Sequence, residues 1–166
     1  MAISRLTLTS RLTRMTSELA RANGWLLLAD PLFIDQVSLL ENQVRKLKLK
    51  LPDTFETKNA TKRLRAITKL ITEVIPADPN GLQFKLGNTL GSENRHWFRA
   101  KFFQQYRLFF RFDSKSKIII YCWVNDQTSL RAYESSTDAY AVFKRMLDSG
   151  EPPQTWMQLL ARSQPL

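Results

Sequence analysis

Residues 99–112 read RAKFFQQYRLFFRF, and this stretch decides the fold. Both halves alternate in the way expected of β-strands, whose successive side chains point to opposite faces. In the second half, one predicted face carries Leu108, Phe110 and Phe112, and the other carries Arg107, Phe109 and Arg111. The two halves, joined by the connection FQQY, predict an antiparallel strand pair.

The positive charge in this stretch is a cost to the predicted sheet. Arg99 and Lys101 lie on one side of the first strand, so the strand register can bring them to the same face as Arg107 and Arg111. Like charges on neighbouring strands repel unless a ligand neutralises them. Residues 82–131 carry nine Lys or Arg against three acids, a net charge of +6. We therefore predict a basic sheet face that binds a polyanion.

Helical periods flank the predicted sheet. Apolar spacing predicts a helix from Pro31 to about Leu51, and a second from about Glu56 that ends at Pro76. Their short connection implies an antiparallel helical hairpin. Alternation predicts strands near 82–86, 96–103, 106–113 and 117–125, followed by helices over 138–149 and around 156–160.

This order predicts an α+β fold. An N-terminal helical hairpin packs on one face of a twisted antiparallel sheet, a C-terminal helix follows, and the other face stays partly open for charge. Residues 23–166 form a single domain in this prediction. Residues 1–22 form an N-terminal extension that is either flexible or precedes the true start, because the apolar pattern begins only at NGWLLLADPLF.

The composition indicates a polyanionic partner. The formal charge of +10 in 166 residues favours nucleic acid over an anionic membrane surface. Cys122 is the single cysteine and lies in an apolar run, so a buried thiol in the cytoplasm is expected. No apolar run approaches the length that crosses a bilayer, so we expect no membrane partner.

The predicted sheet also offers contacts to RNA bases. Alternation in the last strand puts Tyr121, Trp123 and Asn125 on one face, where aromatic rings can stack with bases beside the basic groups. The predicted RNA-binding set is Lys85, Arg95, His96, Arg111, Trp123 and Asn125.

The residue types restrict the chemistry. Acids are scattered, which disfavours a two-metal nuclease, and His96 as the only histidine excludes a two-histidine ribonuclease. No phosphate loop, dinucleotide fingerprint or zinc spacing is present, so we predict no cofactor and no metal. Metal-free cleavage suits RNA, whose 2′-hydroxyl can attack the neighbouring phosphate. Arginine would stabilise charge, and Lys or Tyr would transfer protons, with Lys101 activated while Arg99 and Arg107 hold the phosphate.

Five motifs, NGWLLLADPLF, YRLFFRF, WVND, LRAY and TDAYAVFKRML, closely resemble the YhaV toxin family from about residue 23 onward. The resemblance implies the RelE-like superfamily with its fold. It also implies a bacterial type II toxin that inhibits growth by cleaving mRNA, generally on the ribosome. The implied protein partner is a PrlF antitoxin, which is AbrB-like. Operator DNA is a further implied partner, which only the toxin–antitoxin complex binds.

The resemblance also implies site residues. RelE-like nucleases place two basic residues one apart on a strand, matched by Arg99 and Lys101, and an arginine after the next turn, matched by Arg107. A further arginine and a tyrosine follow the last main strand. Their matches are Arg131 and either Tyr133 or Tyr140.

Three functional hypotheses follow. The leading one is a metal-independent endoribonuclease that leaves a 2′,3′-cyclic phosphate and a 5′-hydroxyl end. The second is a non-catalytic poison of a protein target such as gyrase, as in the ParE branch. The third is a non-catalytic RNA- or ribosome-binding module whose cations only anchor phosphates.

Overall fold

The computed structural model describes residues 21–126 and 138–166. In chain order the elements are β1 Arg21–Ala22, β2 Trp25–Ala29, α1 Pro31–Lys50, α2 Asn59–Lys69, β3 Phe98–Phe102, β4 Tyr106–Asp113, β5 Ile118–Val124, α3 Ala139–Asp148, α4 Trp156–Arg162 and β6 Gln164–Pro165. Helix α2 continues through a π-helical turn and a short α-helical segment, Leu70–Val74 and Ile75–Ala77. Three 3₁₀ turns occupy Phe55–Thr57, Leu82–Phe84 and Ser92–Asn94. The predictions for Arg131, for Tyr133 and for most of the N-terminal extension lie outside the described residues.

The sheet has six strands in the order β1-β2-β5-β4-β3, with β6 also paired to β2. Strands β3, β4 and β5 form antiparallel pairs in sequence. Strand β2 runs parallel to β5, from Leu26 opposite Ile118 to Ala29 opposite Tyr121. The sheet is therefore mixed.

The predicted fold class is wrong in two respects, although the fold is mixed α and β. The helices do not form an N-terminal hairpin, because the strands β1 and β2 precede α1. The sheet is not antiparallel throughout, because β2 pairs parallel to β5. A short apolar run such as WLLLA cannot be told from a buried helical segment by its period. Its parallel partner lies beyond two helices in sequence, so no local pattern marks the pairing.

Both faces of the sheet are covered, which corrects the predicted open face. Helices α1 and α2 pack on what we call the first face, with Phe33, Leu40 and Ile67 in its core. On the second face, Phe143 of α3, Leu159 of α4 and the segment before β3 cover the strands. That segment does not form the strand predicted near 82–86, since it contains a 3₁₀ turn and a single bridge between Lys85 and Phe98.

A β-bulge changes which face the residues of β5 occupy. Phe109 pairs with Trp123 while the next residue, Phe110, pairs with Tyr121, so Cys122 is the extra residue. A bulge redirects the side chains on either side of it. Tyr121 therefore packs in the first-face core and Trp123 in the second, contrary to the predicted alternation.

The carboxylate of Asp30 joins elements from both faces. Asp30 is fully buried, and its Oδ1 accepts a hydrogen bond from the backbone N–H of Leu32 at 3.0 Å, which caps α1. Arg162 at the end of α4 donates to both carboxylate oxygens at 2.7 and 2.8 Å. Arg162 also pairs with Glu151 at 2.6 Å. Within the described ranges, none of the helices is long and apolar enough to span a membrane.

Candidate active site

Strand register places three of the predicted catalytic side chains on the second face. Lys101 stands opposite Arg107 in the β3–β4 ladder, and Arg99 stands opposite Phe109. Directly opposed residues of an antiparallel pair are about 5 Å apart at Cβ. The even spacing along both strands therefore gathers Arg99, Lys101 and Arg107 into one patch.

Tyr140 connects two of these cations. Its hydroxyl oxygen accepts hydrogen bonds from Nε of Arg99 at 2.9 Å and from Nε of Arg107 at 3.0 Å. The side chain of Asp138 caps helix α3 by accepting from the backbone N–H of Tyr140 at 2.7 Å, so Tyr140 lies in the capped first turn. We call Arg99, Arg107 and Tyr140 the arginine–tyrosine cluster. Because two donors occupy the acceptor sites of the phenol oxygen, its own proton is available for donation.

Arg107 is held in place on several sides. The side chain is buried, with an exposed fraction of 6%, and its Nη1 donates to the carbonyl oxygens of Gln104 at 2.6 Å and Tyr106 at 3.0 Å. Its backbone N–H donates to Oδ1 of Asn125 at 2.6 Å. The guanidinium therefore has a preset orientation, which is what electrostatic catalysis requires.

Arg99 is supported by the segment before β3. Its Nη1 donates to the carbonyl oxygens of Lys85 at 3.1 Å and Gln83 at 3.3 Å. The segment predicted as a strand thus supplies carbonyl acceptors rather than another strand of the sheet. Its backbone orients the half-buried guanidinium toward Tyr140.

Lys101 lies at the exposed rim of the cluster. Three ion pairs occur among the described residues, and none of them involves Arg99, Lys101 or Arg107. The three cations therefore face one another without a carboxylate from the described part of the chain. Such a patch can bind an anion such as a phosphate.

Arg111 and His96 belong to a separate group of contacts. The Arg111 guanidinium lies 5.5 Å from the ring centroids of both Trp97 and Trp156, and its Nη1 donates to the carbonyl oxygen of Gln154 at 2.7 Å. Burial lowers the pKa of Arg111. His96 Nε2 lies 2.9 Å from Gln154 Oε1, and burial, more than the nearby Arg111 charge, lowers the His96 pKa. These contacts give Arg111 a structural role between the strand and α4.

The other predicted RNA-binding residues divide by exposure. Lys85 and Arg95 are exposed, and Arg95 donates to Oδ1 of Asn88 at 2.6 and 2.9 Å. Trp123 and Asn125 are buried, which corrects their predicted contact with bases. Trp123 stacks on Phe109 and Phe143, the two pairs of ring centroids 5.9 and 5.7 Å apart.

Asn125 has a positioning role that sequence reasoning missed. Besides accepting from the Arg107 backbone, its Nδ2 donates to the carbonyl oxygen of Gln105 at 3.1 Å. It therefore fixes the turn that leads into Arg107. Only the position of Asn125 at the end of β5 could have suggested this.

Metal ligands are not grouped in the described ranges: no three His, Cys, Asp or Glu residues there are placed to hold an ion. Arg131 and Tyr133 are not among the residues whose geometry is described, so their predicted roles stay predictions.

Comparisons with known proteins identify the family to which the chain belongs. Residues 27–164 match the model of a family described as a toxin with endonuclease activity, of a toxin–antitoxin system. The chain belongs to this family, the YhaV toxins, as the resemblance predicted.

Relatives of known name support this assignment. The chain is 45% identical over 141 residues to the ribonuclease toxin YhaV of Escherichia coli K12, and equally to the toxins YhaV of Escherichia coli O157:H7 and O6:H1. Each match covers 84% of this chain and 92% of the relative. No solved structure matches the chain. The predicted endonuclease toxin is confirmed, and neither non-catalytic alternative agrees with the family's description.

Proposed function

We propose that this chain cleaves mRNA without a metal ion, and that the arginine–tyrosine cluster with Lys101 is the reaction centre. The observation that carries the proposal is the pair of Nε–H groups, from Arg99 and Arg107, on one phenol oxygen. RNA as the substrate is supported by the name of the Escherichia coli K12 relative, a ribonuclease toxin.

The cluster can stabilise the transferring phosphate. The 2′-hydroxyl oxygen of one nucleotide attacks the adjacent phosphorus, and the bond from phosphorus to the 5′-oxygen breaks. Arg99 and Arg107 stabilise the negative charge that develops on the phosphate oxygens, since arginine stays protonated. The products are a 2′,3′-cyclic phosphate and a 5′-hydroxyl end.

Two side chains are available for the proton transfers. Lys101 is the proposed acceptor of the proton of the attacking 2′-hydroxyl. Tyr140 donates its proton to the departing 5′-oxygen, because the two arginines already occupy its acceptor sites. Arg131 and Tyr133 are proposed as further contributors through the family resemblance alone.

The proposed partners follow from the toxin–antitoxin class. We infer a PrlF-type, AbrB-like antitoxin, with operator DNA bound only by the toxin–antitoxin complex, and cleavage of mRNA on the ribosome in the cytoplasm. The net charge of +10 supports association with RNA.

The proposal is tested by incubating the purified toxin with ribosome-free mRNA, with and without excess EDTA, because chelation of Mg²⁺ would dissociate ribosomes. Cleavage should persist, and the new RNA ends should carry 5′-hydroxyl groups. Arg107→Ala should lower the cleavage rate about 10²- to 10³-fold, the usual effect of removing one charge stabiliser. Lys115→Ala, an exposed turn residue, is the matched control. Loss of cleavage on chelation, or an unchanged rate in Arg107→Ala, would reject the mechanism.

A further inference from the structure

Within residues 21–126 and 138–166, a dense concentration of exposed positive charge lies away from the arginine–tyrosine cluster. Residues 45–69 hold nine Lys or Arg against two acids, a net charge of +7. Eight of these nine cations are exposed: Arg45, Lys46, Lys48, Lys50, Lys58, Lys62, Arg65 and Lys69. We call these eight residues the helical basic surface. They occupy the second half of α1, the connection and α2.

This charge is mostly unneutralised within the described part of the chain. Only Arg65 of the helical basic surface forms an ion pair there, with Glu56 at 2.9 Å. The segment 82–131 carries +6 over twice the length, and there Arg107 is buried and Arg111 lies between two tryptophans. The exposed charge is therefore denser on the helices than on the sheet, where the sequence predicted it.

Two lysines of the helical basic surface stand side by side. Lys46 and Lys50 are one helical turn apart on α1, and their side chains border a largely apolar depression of about 340 Å³ that Gln43, Leu47 and Ala60 also line. Residues four apart on a helix are neighbours on its surface. The two ammonium groups can therefore contact adjacent phosphates of one strand.

The helical basic surface and the arginine–tyrosine cluster lie on opposite sides of the sheet. Helices α1 and α2 cover the first face, whereas Tyr140 and α3 belong to the second. A helical layer and a sheet are each about 10 Å thick. A stacked RNA strand of four nucleotides is about 10 Å long, which is shorter than a helical layer and a sheet together.

We propose that the helical basic surface binds the phosphate backbone of structured RNA, as a second contact separate from the cleavage centre. The identity of the ligand as RNA rests on the proposed function. Lysine-rich surfaces suit backbone phosphates, which need point charges and no fixed hydrogen-bond geometry. An RNA that contacts both surfaces gains affinity through linkage of the two contacts.

The test measures binding without cleavage. The probe is a fluorescent RNA hairpin of about 24 nucleotides with 2′-O-methyl groups, titrated between about 50 and 300 mM salt. Lys46→Gln/Lys50→Gln should weaken binding about 10-fold and reduce the slope of log K against log salt by about 1 to 2. The control Lys115→Gln/Lys117→Gln removes two exposed charges elsewhere and should change affinity less than about 2-fold.

A 2′-O-methyl RNA of four nucleotides should bind the Lys46→Gln/Lys50→Gln variant as it binds the unaltered protein. Equal weakening by the two double variants would show an effect of net charge only and would overturn the proposal. An unchanged affinity for the hairpin, or loss of antitoxin binding in its place, would also overturn it. If the toxin fails to cleave mRNA, the proposed cleavage mechanism is rejected. The comparison of the two double variants still tests the helical basic surface, because it measures binding alone.

Discussion

Arg107 and Tyr140 come from a strand and a helix that are distant in sequence, yet Nε of the arginine lies 3.0 Å from the phenol oxygen. Tyr140→Phe removes that oxygen and its proton while keeping the ring. We expect the cleavage rate to fall about 10²-fold, since both the proton donor and the acceptor that orients the arginines are lost. Single-turnover cleavage of an mRNA measures the effect.

Tyr106→Phe is the matched control, because it removes the phenol oxygen of a largely buried tyrosine that lies outside the arginine–tyrosine cluster. Its cleavage rate should remain within about 3-fold of the unaltered protein. An equal loss of rate in both variants would argue against a role for Tyr140 in the reaction.

The Asp30–Arg162 pair should be worth far more to stability than an exposed pair. Arg162→Ala leaves the carboxylate of Asp30 buried without its charge partner, so the free energy of unfolding should fall by about 3 kcal/mol. Arg65→Ala breaks the exposed pair with Glu56 and should cost less than about 1 kcal/mol. Urea unfolding of both variants tests the contrast, and similar losses would contradict it.

Substitution of Thr61 by an apolar residue should stabilise the folded protein. Its side chain is buried, with an exposed fraction of 3%, and its hydroxyl oxygen has no hydrogen-bond partner in the described structure. Thr61→Val replaces the hydroxyl by a methyl group of similar shape. The free energy of unfolding should rise by about 1 kcal/mol, because an unsatisfied polar group is removed. A lower unfolding midpoint in urea would show that the hydroxyl is satisfied in solution.

Stability should decline as the pH falls through the range in which His96 titrates. Burial lowers the pKa of His96 in the folded protein below the ordinary value of 6.5. The unfolded chain therefore binds the proton first, so the free energy of unfolding falls as the pH drops below about 6.5 and levels off below the folded pKa.

The measurement is urea unfolding of the protein and of His96→Gln at several values between about pH 5 and 8. The variant should show a shallower decline toward low pH, because it lacks the titrating ring. Parallel curves would assign the pH dependence to other groups.

Local sequence patterns predicted several strands and the pairing of neighbouring ones, but not the pairing of strands that are distant in sequence. The alternation of residues 99–112 predicted the β3–β4 pair, and the Pro31 and Asp138 signals predicted the starts of α1 and α3. The parallel partner of β2 has no local signature, so the order of the sheet was missed. The bulge at Cys122 was missed for the same kind of reason, since one extra residue in a strand is visible only against its neighbour.

The sequence predicted which residues form the candidate site, but not the contacts between their side chains. Residue type and spacing selected Arg99, Lys101 and Arg107, but the contact of Tyr140 with two of them depends on how α3 packs over the sheet. Burial separated Asn125 and Trp123 from the RNA-binding set, because tertiary packing determines exposure.

The position of Asp30 has a consequence for the cooperativity of unfolding. One carboxylate begins the helix that covers the first face and holds the end of the helix that covers the second. Separation of either helical layer from the sheet would leave the Asp30 carboxylate buried without its partner. The two hydrophobic cores should therefore unfold together. Calorimetry should accordingly record a single melting transition, with the calorimetric and van't Hoff enthalpies in agreement.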